Sequence, residues 1–258
     1  MVLEAAAITK EFRIKGGKNF KALDKVSFSL KENEILGVVG ESGSGKSTLS
    51  DIAGGLSSAT EGSVFFLGHD ISKMKGDEWR DYRRNVQFIF QSPKDSMNPY
   101  FRVRRILSEP LDINFPRMDM EEKNKRISDM LIRVGLDPDE VLSCYPSSFS
   151  GGQLQRIAIA RALLLEPKVL ISDECTSSLD VSLQAQILNL LLSLKREYST
   201  SMLFISHDIG IVRYVSDIII VMKDGRIVEE GEAEELIRNP KMDYTKMLVK
   251  ASGFMEEQ

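Results

Sequence analysis

The sequence is poor in the residues that build small stapled or metal-bound folds. Its 258 residues include two cysteines, Cys144 and Cys175, and two histidines, His69 and His207. Neither cysteine stands in a paired-ligand spacing such as C-x-x-C. A disulfide framework and a zinc site are therefore excluded as organising features, and a reducing compartment is the simpler expectation. Long apolar runs are missing too. The most apolar stretches, Ile187–Leu194 and Ile218–Met222, fall well short of the ~20 residues a membrane helix needs. Met1-Val2-Leu3-Glu4-Ala5 has no basic segment ahead of an apolar one, which predicts no signal peptide. Any work at a membrane then needs other chains to do the spanning. Nor is there a large excess of one charge: 34 Lys and Arg against 38 Asp and Glu leave a formal charge of -4. That balance argues against nucleic acid as a partner. Repeats and low-complexity tracts are absent. With 42% hydrophobic residues the chain can build a sizeable core, so disorder and fibrous architectures are excluded.

Residues 3–30 alternate apolar clusters with polar turns, which predicts short antiparallel strands with a break at Gly16-Gly17. Glu34–Val39 reads as a buried strand ended by Gly40, and Ser47–Ala53 as the first turns of a helix stopped by Gly54-Gly55. Gly62–Gly68 is another strand, His69 after it a turn residue, and Val86–Phe90 a strand ending at Gln91. Residues 92–145 hold Pro93, Pro99, Pro110, Pro116 and Pro138 beside helical segments such as Met120–Val134, which predicts a mostly helical inserted lobe. A long amphipathic helix follows from Gly151 to about Leu165. Then come strand Val169–Ser172, helix Val181–Tyr198, strand Met202–Ser206, a short helix near Ile209–Tyr214, and strands at Ile218–Met222 and Arg226–Glu230. Residues 253–258 read as a frayed tail. The alternation predicts an α/β chain with a mainly parallel sheet covered on both faces.

Gly40-Glu41-Ser42-Gly43-Ser44-Gly45-Lys46-Ser47-Thr48 fits G-x-x-x-x-G-K-[ST]. Glycines let the backbone turn so that successive N–H groups face one anion. Lys46 adds a charge for β- and γ-phosphates, and the Ser47 hydroxyl can ligate Mg²⁺. The helix that begins there adds about half a positive charge at its N-terminus. Val169–Ser172 runs into Asp173-Glu174. Asp173 can hold Mg²⁺ and Glu174 can orient an attacking water; read alone, the pair would be an acidic N-cap for the next helix. Ser150-Gly151-Gly152-Gln153, read alone, is an ordinary helix N-cap.

These residues together resemble the ATP-binding cassette (ABC) ATPases. The resemblance covers nearly the whole chain, because the phosphate loop, Gln91, Phe149-Ser150-Gly151-Gly152-Gln153, Asp173-Glu174, Ser178-Leu179-Asp180 and His207 occur in the family's order. It implies a P-loop NTPase core with a mainly parallel sheet, an N-terminal antiparallel β-subdomain and an inserted α-helical subdomain. The chain would be one ABC ATPase domain, 1–258, with the core at about 1–91 and 160–258 and the helical signature subdomain at about 92–159. ATP and Mg²⁺ are the implied cofactors. Phe12 matches the aromatic that stacks on adenine, although an aromatic near a strand also reads as core. Gln91 is implied to reach Mg²⁺ or the attacking water, and His207 to bond the γ-phosphate and steady Glu174. Asp180 is implied to lie across a dimer interface, and Ser150–Gln153 to cap ATP bound to the opposite subunit. Two departures stand out: Phe149 where leucine is common, and Cys175 where proline is frequent. Cys175 reads as a small buried packer, and Ser172 is a polar residue in an apolar strand.

Phe90-Gln91-Ser92-Pro93-Lys94-Asp95-Ser96-Met97-Asn98-Pro99 is similar to the F-Q-D-P-x-x-S-L-N-P stretch of peptide and nickel importer ATPases. Tyr145-Pro146, Leu179–Leu188 and Tyr244-Thr245-Lys246-Met247-Leu248 also resemble that branch. The resemblance implies a peripheral subunit on the cytoplasmic face of the membrane. Its partners would be two transmembrane permease subunits, an extracytoplasmic solute-binding protein and a second ATPase, a paralogue or a second copy. Residues around Tyr100–Leu107 would receive a permease helix, although Arg102, Arg104 and Arg105 also read as a solvated charge run. The chain reads as lacking a cysteine-bearing C-terminal extension, which tilts the solute toward nickel, cobalt, a metallophore or a dipeptide. A soluble ABC ATPase of DNA repair or translation is the alternative, and an exporter a third reading.

Overall fold

The computed structural model describes residues 1–13, 19–177 and 179–253; the Gly16-Gly17 break, Ser178 of the Ser178-Leu179-Asp180 stretch and residues 254–258 of the tail lie outside them. The chain opens with two long strands rather than several short ones. β1 (Leu3–Arg13) and β2 (Asn19–Leu30) pair antiparallel, from Leu3 opposite Leu30 to Arg13 opposite Asn19. Register shifts between Ala5 and Ile8, and again up to Glu11, interrupt the ladder. Each such irregularity breaks the two-residue alternation, which is why the sequence reads as fragments. β4 (Glu61–Phe66) pairs with the other side of β1, and β5 (His69–Asp70) closes a sheet of order β2-β1-β4-β5. His69 thus sits on a two-residue edge strand, opposite Phe66. The turn is made by the residues before it, Leu67 and Gly68, both at positive φ.

Among the described residues the second sheet has six strands. β3 (Ile35–Val39), β6 (Val86–Ile89), β7 (Val169–Asp173), β8 (Ser201–Ser206) and β9 (Ile218–Lys223) are parallel, and β10 (Arg226–Glu232) joins antiparallel at one edge. The order is β10-β9-β3-β8-β7-β6. Every residue of β3 and β8 is buried, so these central strands read as unbroken apolar runs.

The helices are α1 (Lys46–Ala53), α2 (Asp77–Asn85), α3 (Val103–Asn114), α4 (Met120–Arg133), α5 (Pro138–Val141), α6 (Gly151–Leu163), α7 (Val181–Tyr198), α8 (Ile209–Val215), α9 (Ala233–Arg238) and α10 (Asp243–Ala251). Both faces of the parallel sheet are covered, but by different material. Val39, Ile89, Leu170, Phe204 and Val221 share one apolar core with α3, α4, α6, α7 and α8. Leu36, Val38, Ile171, Leu203 and Ile220 share another with Leu49 and Ile52 of α1 and with Leu3, Ile8 and Val26 of the antiparallel sheet.

Two helices depart from expectation. α6 is buried almost all round after its first turn, because it lies between the helical lobe and the sheet; it has no polar face to make it amphipathic. It also runs unbroken through residues 159 and 160. α2 has no counterpart in the sequence reading. Of its residues only Tyr82 is buried, so no apolar stripe announces it. Its charges do: Asp77 and Glu78 in the first turn and Arg83 in the last oppose the helix dipole. Among the described residues no helix is long and apolar enough to cross a membrane.

Tyr82 ties α2 to the end of α1. Its ring stacks on Trp79 and meets Phe66 edge-on, and its hydroxyl donates to the Ala53 carbonyl at 2.6 Å. Tyr82→Phe leaves that buried carbonyl without its donor and should lower unfolding stability by about 1 kcal/mol. Chemical denaturation checks this; an unchanged midpoint would show the bond to be idle.

Candidate active site

The phosphate-loop motif links β3 to α1, as the spacing predicts. Gly45 caps α1 with φ near 103°, and a Cβ there would lie 2.6 Å from the Ala22 carbonyl oxygen, so only glycine fits. No side chain caps the first amides of α1, and no acid occupies its first turn. That end is left open to an anion. Ser42, Gly43 and Ser47 are exposed, Thr48 is half-buried and Ser44 is buried. Lys46 is only 4% exposed. Its Nζ donates to the carbonyls of Gly40 and Glu41, both at 2.8 Å. Burial pulls the ammonium below the usual lysine range, and the carboxylates of Glu174 and Asp173 oppose that pull.

β7 delivers Asp173 to the same place. Its Oδ1 accepts from Ser47 Oγ at 3.4 Å and its Oδ2 from Ser50 Oγ at 3.1 Å. Burial raises this carboxyl above its ordinary range, and the two serine bonds partly offset the rise. Glu174 follows in a left-handed backbone conformation, φ 47°, with its N–H bonded to the Ile205 carbonyl at 3.0 Å. A glutamate held there is a strained turn fixed by its surroundings. One carboxylate oxygen accepts from Gln91 Nε2 at 3.2 Å, and the other lies 3.6 Å from His207 Nδ1. Gln91 also reaches Ser177 Oγ at 3.3 Å. The local alternative for Asp173-Glu174 fails, because the next helix, α7, is capped by Asp180 through the Leu183 N–H.

Lys46, Ser47, Gln91, Asp173, Glu174 and His207 are thus brought together, Lys46 and Ser47 from the first turn of α1 and the others from the C-terminal end of a parallel strand or the segment after it. The other expected residues lie elsewhere. Ser150 and Gln153 form a reciprocal capping box at the start of α6, with bonds of 3.3 and 3.0 Å. Ser150, Gly151 and Gln153 are exposed; Gly152 is buried against Leu183 of α7, and Leu179 is the nearest side chain to Gly151. The signature turn therefore packs on the start of α7 and presents its outer side to solvent. Phe12 is 45% exposed, opposite Phe20, with Lys10 Nζ 5.2 Å from its ring centre, and it belongs to neither apolar core. The core reading of this aromatic is thereby removed.

Residues 23–177 match the family model described as ABC transporter. The chain belongs to the ABC transporter family. As an ABC ATPase it binds ATP and hydrolyses it to power transport. It is 46% identical, over 97% of this chain and 77% of the relative, to the oligopeptide transport ATP-binding protein OppF of Salmonella typhimurium. It is 43% identical, over 97% and 79%, to the di/tripeptide transport ATP-binding protein DppF of Pseudomonas aeruginosa. The structure of the ATP-binding cassette MJ0796, solved as a dimer in a post-hydrolysis state with ADP and Pi, superposes with a TM-score of 0.80. It is 31% identical and covers 90% of this chain and 98% of its own. The fold is thus that of the ABC ATPases.

Several residues of this candidate site escape motif reading. Ser50 bonds Asp173 from 123 positions away and Ser177 bonds Gln91 from 86, distances at which no local pattern operates. A cleft of about 1000 Å³ is lined by Ser47, Gln91 and Asp173 and also by Trp79, Arg83, Ile113 and Arg161. The helix signals at the ends of α2 would have found Trp79 and Arg83. The arginine run does more than solvate: Arg105 lies 3.7 Å from the Phe101 ring centre, Arg102 lies 5.7 Å from that of Tyr145, and Arg104 bonds Asn124 at 3.0 Å.

Ser172 and Cys175 explain each other. The Ser172 hydroxyl donates to Cys175 Sγ at 2.9 Å, and both side chains are buried. Burial pushes the Cys175 thiol up to about 11. At neutral pH it is a packed thiol rather than a nucleophile. Native protein treated with maleimide should therefore label at the half-exposed Cys144 and spare Cys175, with both labelled after unfolding. Mass spectrometry checks this, and equal native labelling would contradict it.

Proposed function

We propose that this ABC ATPase powers peptide uptake as the peripheral motor of an importer at the cytoplasmic face of the membrane. Its partners in this reading are two permease subunits, an extracytoplasmic solute-binding protein and a second ATPase chain. The observation that carries the proposal is the 46% identity over nearly the whole chain to an oligopeptide transport ATPase. The di/tripeptide relative points the same way, and both favour peptides among the expected solutes. Neither relative favours a soluble role in DNA repair or translation.

In the proposed site the open amides at the start of α1 and the Lys46 ammonium hold the β- and γ-phosphates. Phe12, exposed as a stacking aromatic must be, takes the adenine. The donor set suits a hard divalent cation, since the Ser47 hydroxyl and the Asp173 carboxylate converge and Gln91 adds an amide oxygen. Bound there, Mg²⁺ would neutralise charge on the phosphates. Glu174 accepts a proton from the attacking water, with Gln91 and His207 on its two oxygens to aim it. One phosphate loop leaves a face of the γ-phosphate open. The exposed Ser150–Gln153 turn offers helix amides to close that face in a second subunit, with Asp180 beside it. The dimeric ADP-bound relative supports this sandwich. The division into a core at 1–91 and 160–258 and a signature lobe at 92–159 belongs to the same reading. Tyr100, 86% exposed near the basic run, marks the face for a permease helix.

Glu174→Gln should bind MgATP within a few-fold of the parent and hydrolyse it about 10²–10⁴ times more slowly. Nucleotide titration and phosphate release measure the two; near-normal turnover would remove Glu174 from the chemistry. Uptake of labelled peptides and of chelated nickel in a deletion strain tests the solute. Restored nickel uptake without peptide uptake would overturn the peptide assignment.

A further inference from the structure

Tyr244, in the run Tyr244–Leu248, has no part in the chemistry above. Its hydroxyl nonetheless accepts a hydrogen bond from the Glu41 N–H at 3.1 Å, across 203 positions of sequence. That N–H belongs to the peptide unit joining Gly40 to Glu41. The carbonyl of the same unit, Gly40 O, accepts from Lys46 Nζ at 2.8 Å. In a trans peptide the N–H and C=O point to opposite sides of one rigid plane. The plane is therefore gripped from both sides, by a tyrosine at one edge and by the phosphate-binding lysine at the other.

Tyr244 is itself held. The N–H groups of Lys241 and Met242, just before α10, both donate to the Glu229 carboxylate of β10, at 2.8 and 3.0 Å. Lys223, at the end of β9, places its ammonium 4.8 Å from the Tyr244 ring centre. The ring also packs against the helical-side core. The turn between β9 and β10 touches the loop as well, since the Gly225 N–H donates to the Ser44 carbonyl at 3.1 Å.

We propose that Tyr244 is a positioning residue of the nucleotide site. By holding the Glu41 N–H it sets the direction of the Gly40 carbonyl, and through that carbonyl the place of the Lys46 ammonium. Its effect falls on ATP affinity rather than on the chemical step. This inference rests on the phosphate loop being the ATP site.

The test uses the full chain and the variant Tyr244→Phe, which keeps the ring and its contact with Lys223. MgATP titration should give a Kd raised about three- to ten-fold, the range for loss of one neutral hydrogen bond. The melting temperature without nucleotide should fall by no more than about 4 °C. In the assembled hydrolysing complex KM should rise by the same factor, with kcat changed less than two-fold. Glu229→Gln, which loosens the grip on α10, should also raise Kd. The double variant should be no weaker than the weaker single. A lowered melting temperature with unchanged Kd would overturn the proposal, as would fully additive losses in the cycle or a fall in kcat at constant KM. If the parent chain itself fails to bind MgATP, the ATP reading of the loop falls first and takes this inference with it.

Discussion

A cation almost sealed from water is the constraint on which the rest of the site depends. Lys46 is 4% exposed. An ammonium in such a place is costly unless opposite charge and hydrogen-bond acceptors surround it. Two loop carbonyls meet it directly, and Asp173 and Glu174 bring negative charge close. The acids are drawn into the same balance, because burial discourages the charge on Asp173 while Ser47 and Ser50 support it. The open amides of α1 are not offset by any acid of its own first turn. In the proposed reading, a triphosphate entering there would meet a field that is already set, leaving little reorganisation for the moment of reaction.

The parallel sheet makes that balance possible. The loop after β3 leads into Lys46 at the start of α1, the residues after β6 carry Gln91, β7 ends in Asp173 with Glu174 next, and His207 follows β8. Four separate strands aim their C-terminal ends at one point, the place where open α/β sheets bind ligands. Gln91 is at once a partner of Glu174 and the first residue of the segment leading into the helical lobe. In the proposed reading, a displacement of that lobe would reach Glu174, the water-activating carboxylate, through one amide.

What was legible in the sequence was what depends on neighbours in sequence or on unbroken burial. β3 and β8 read as strands because both faces are covered, and the phosphate loop because its geometry is written in nine consecutive residues. The N-cap at Ser150 is local to four consecutive residues and legible for that reason, whereas the reciprocal bond from Gln153 that completes a capping box is added by the structure. β1 and β2 appeared as fragments because register shifts break the alternation that marks a strand. α2 is not legible because a helix burying one tyrosine has no apolar stripe, and α6 reads as amphipathic because its mixture of Gln, Arg and aliphatic residues hides how little of it meets solvent. The Ser172–Cys175 bond is short in sequence yet was missed, since a serine in an apolar strand gives no hint of its partner. The contacts from Ser50 to Asp173 and from Tyr244 to Glu41 join chain segments that only the fold brings together.

α6 has a mechanical meaning. It begins at the exposed signature turn, and near its far end Arg161 donates to the Ser96 carbonyl in the segment that follows Gln91, at 2.6 Å. Thirteen residues without proline or a break form a rod of about 20 Å. Such a rod, clamped by aliphatic contacts along its length, tilts or slides as one piece and has no joint at which to absorb a push. If a second subunit presses on the serine–glycine tip, as proposed, the push would register at the arginine end in the same motion, with no relay between the two.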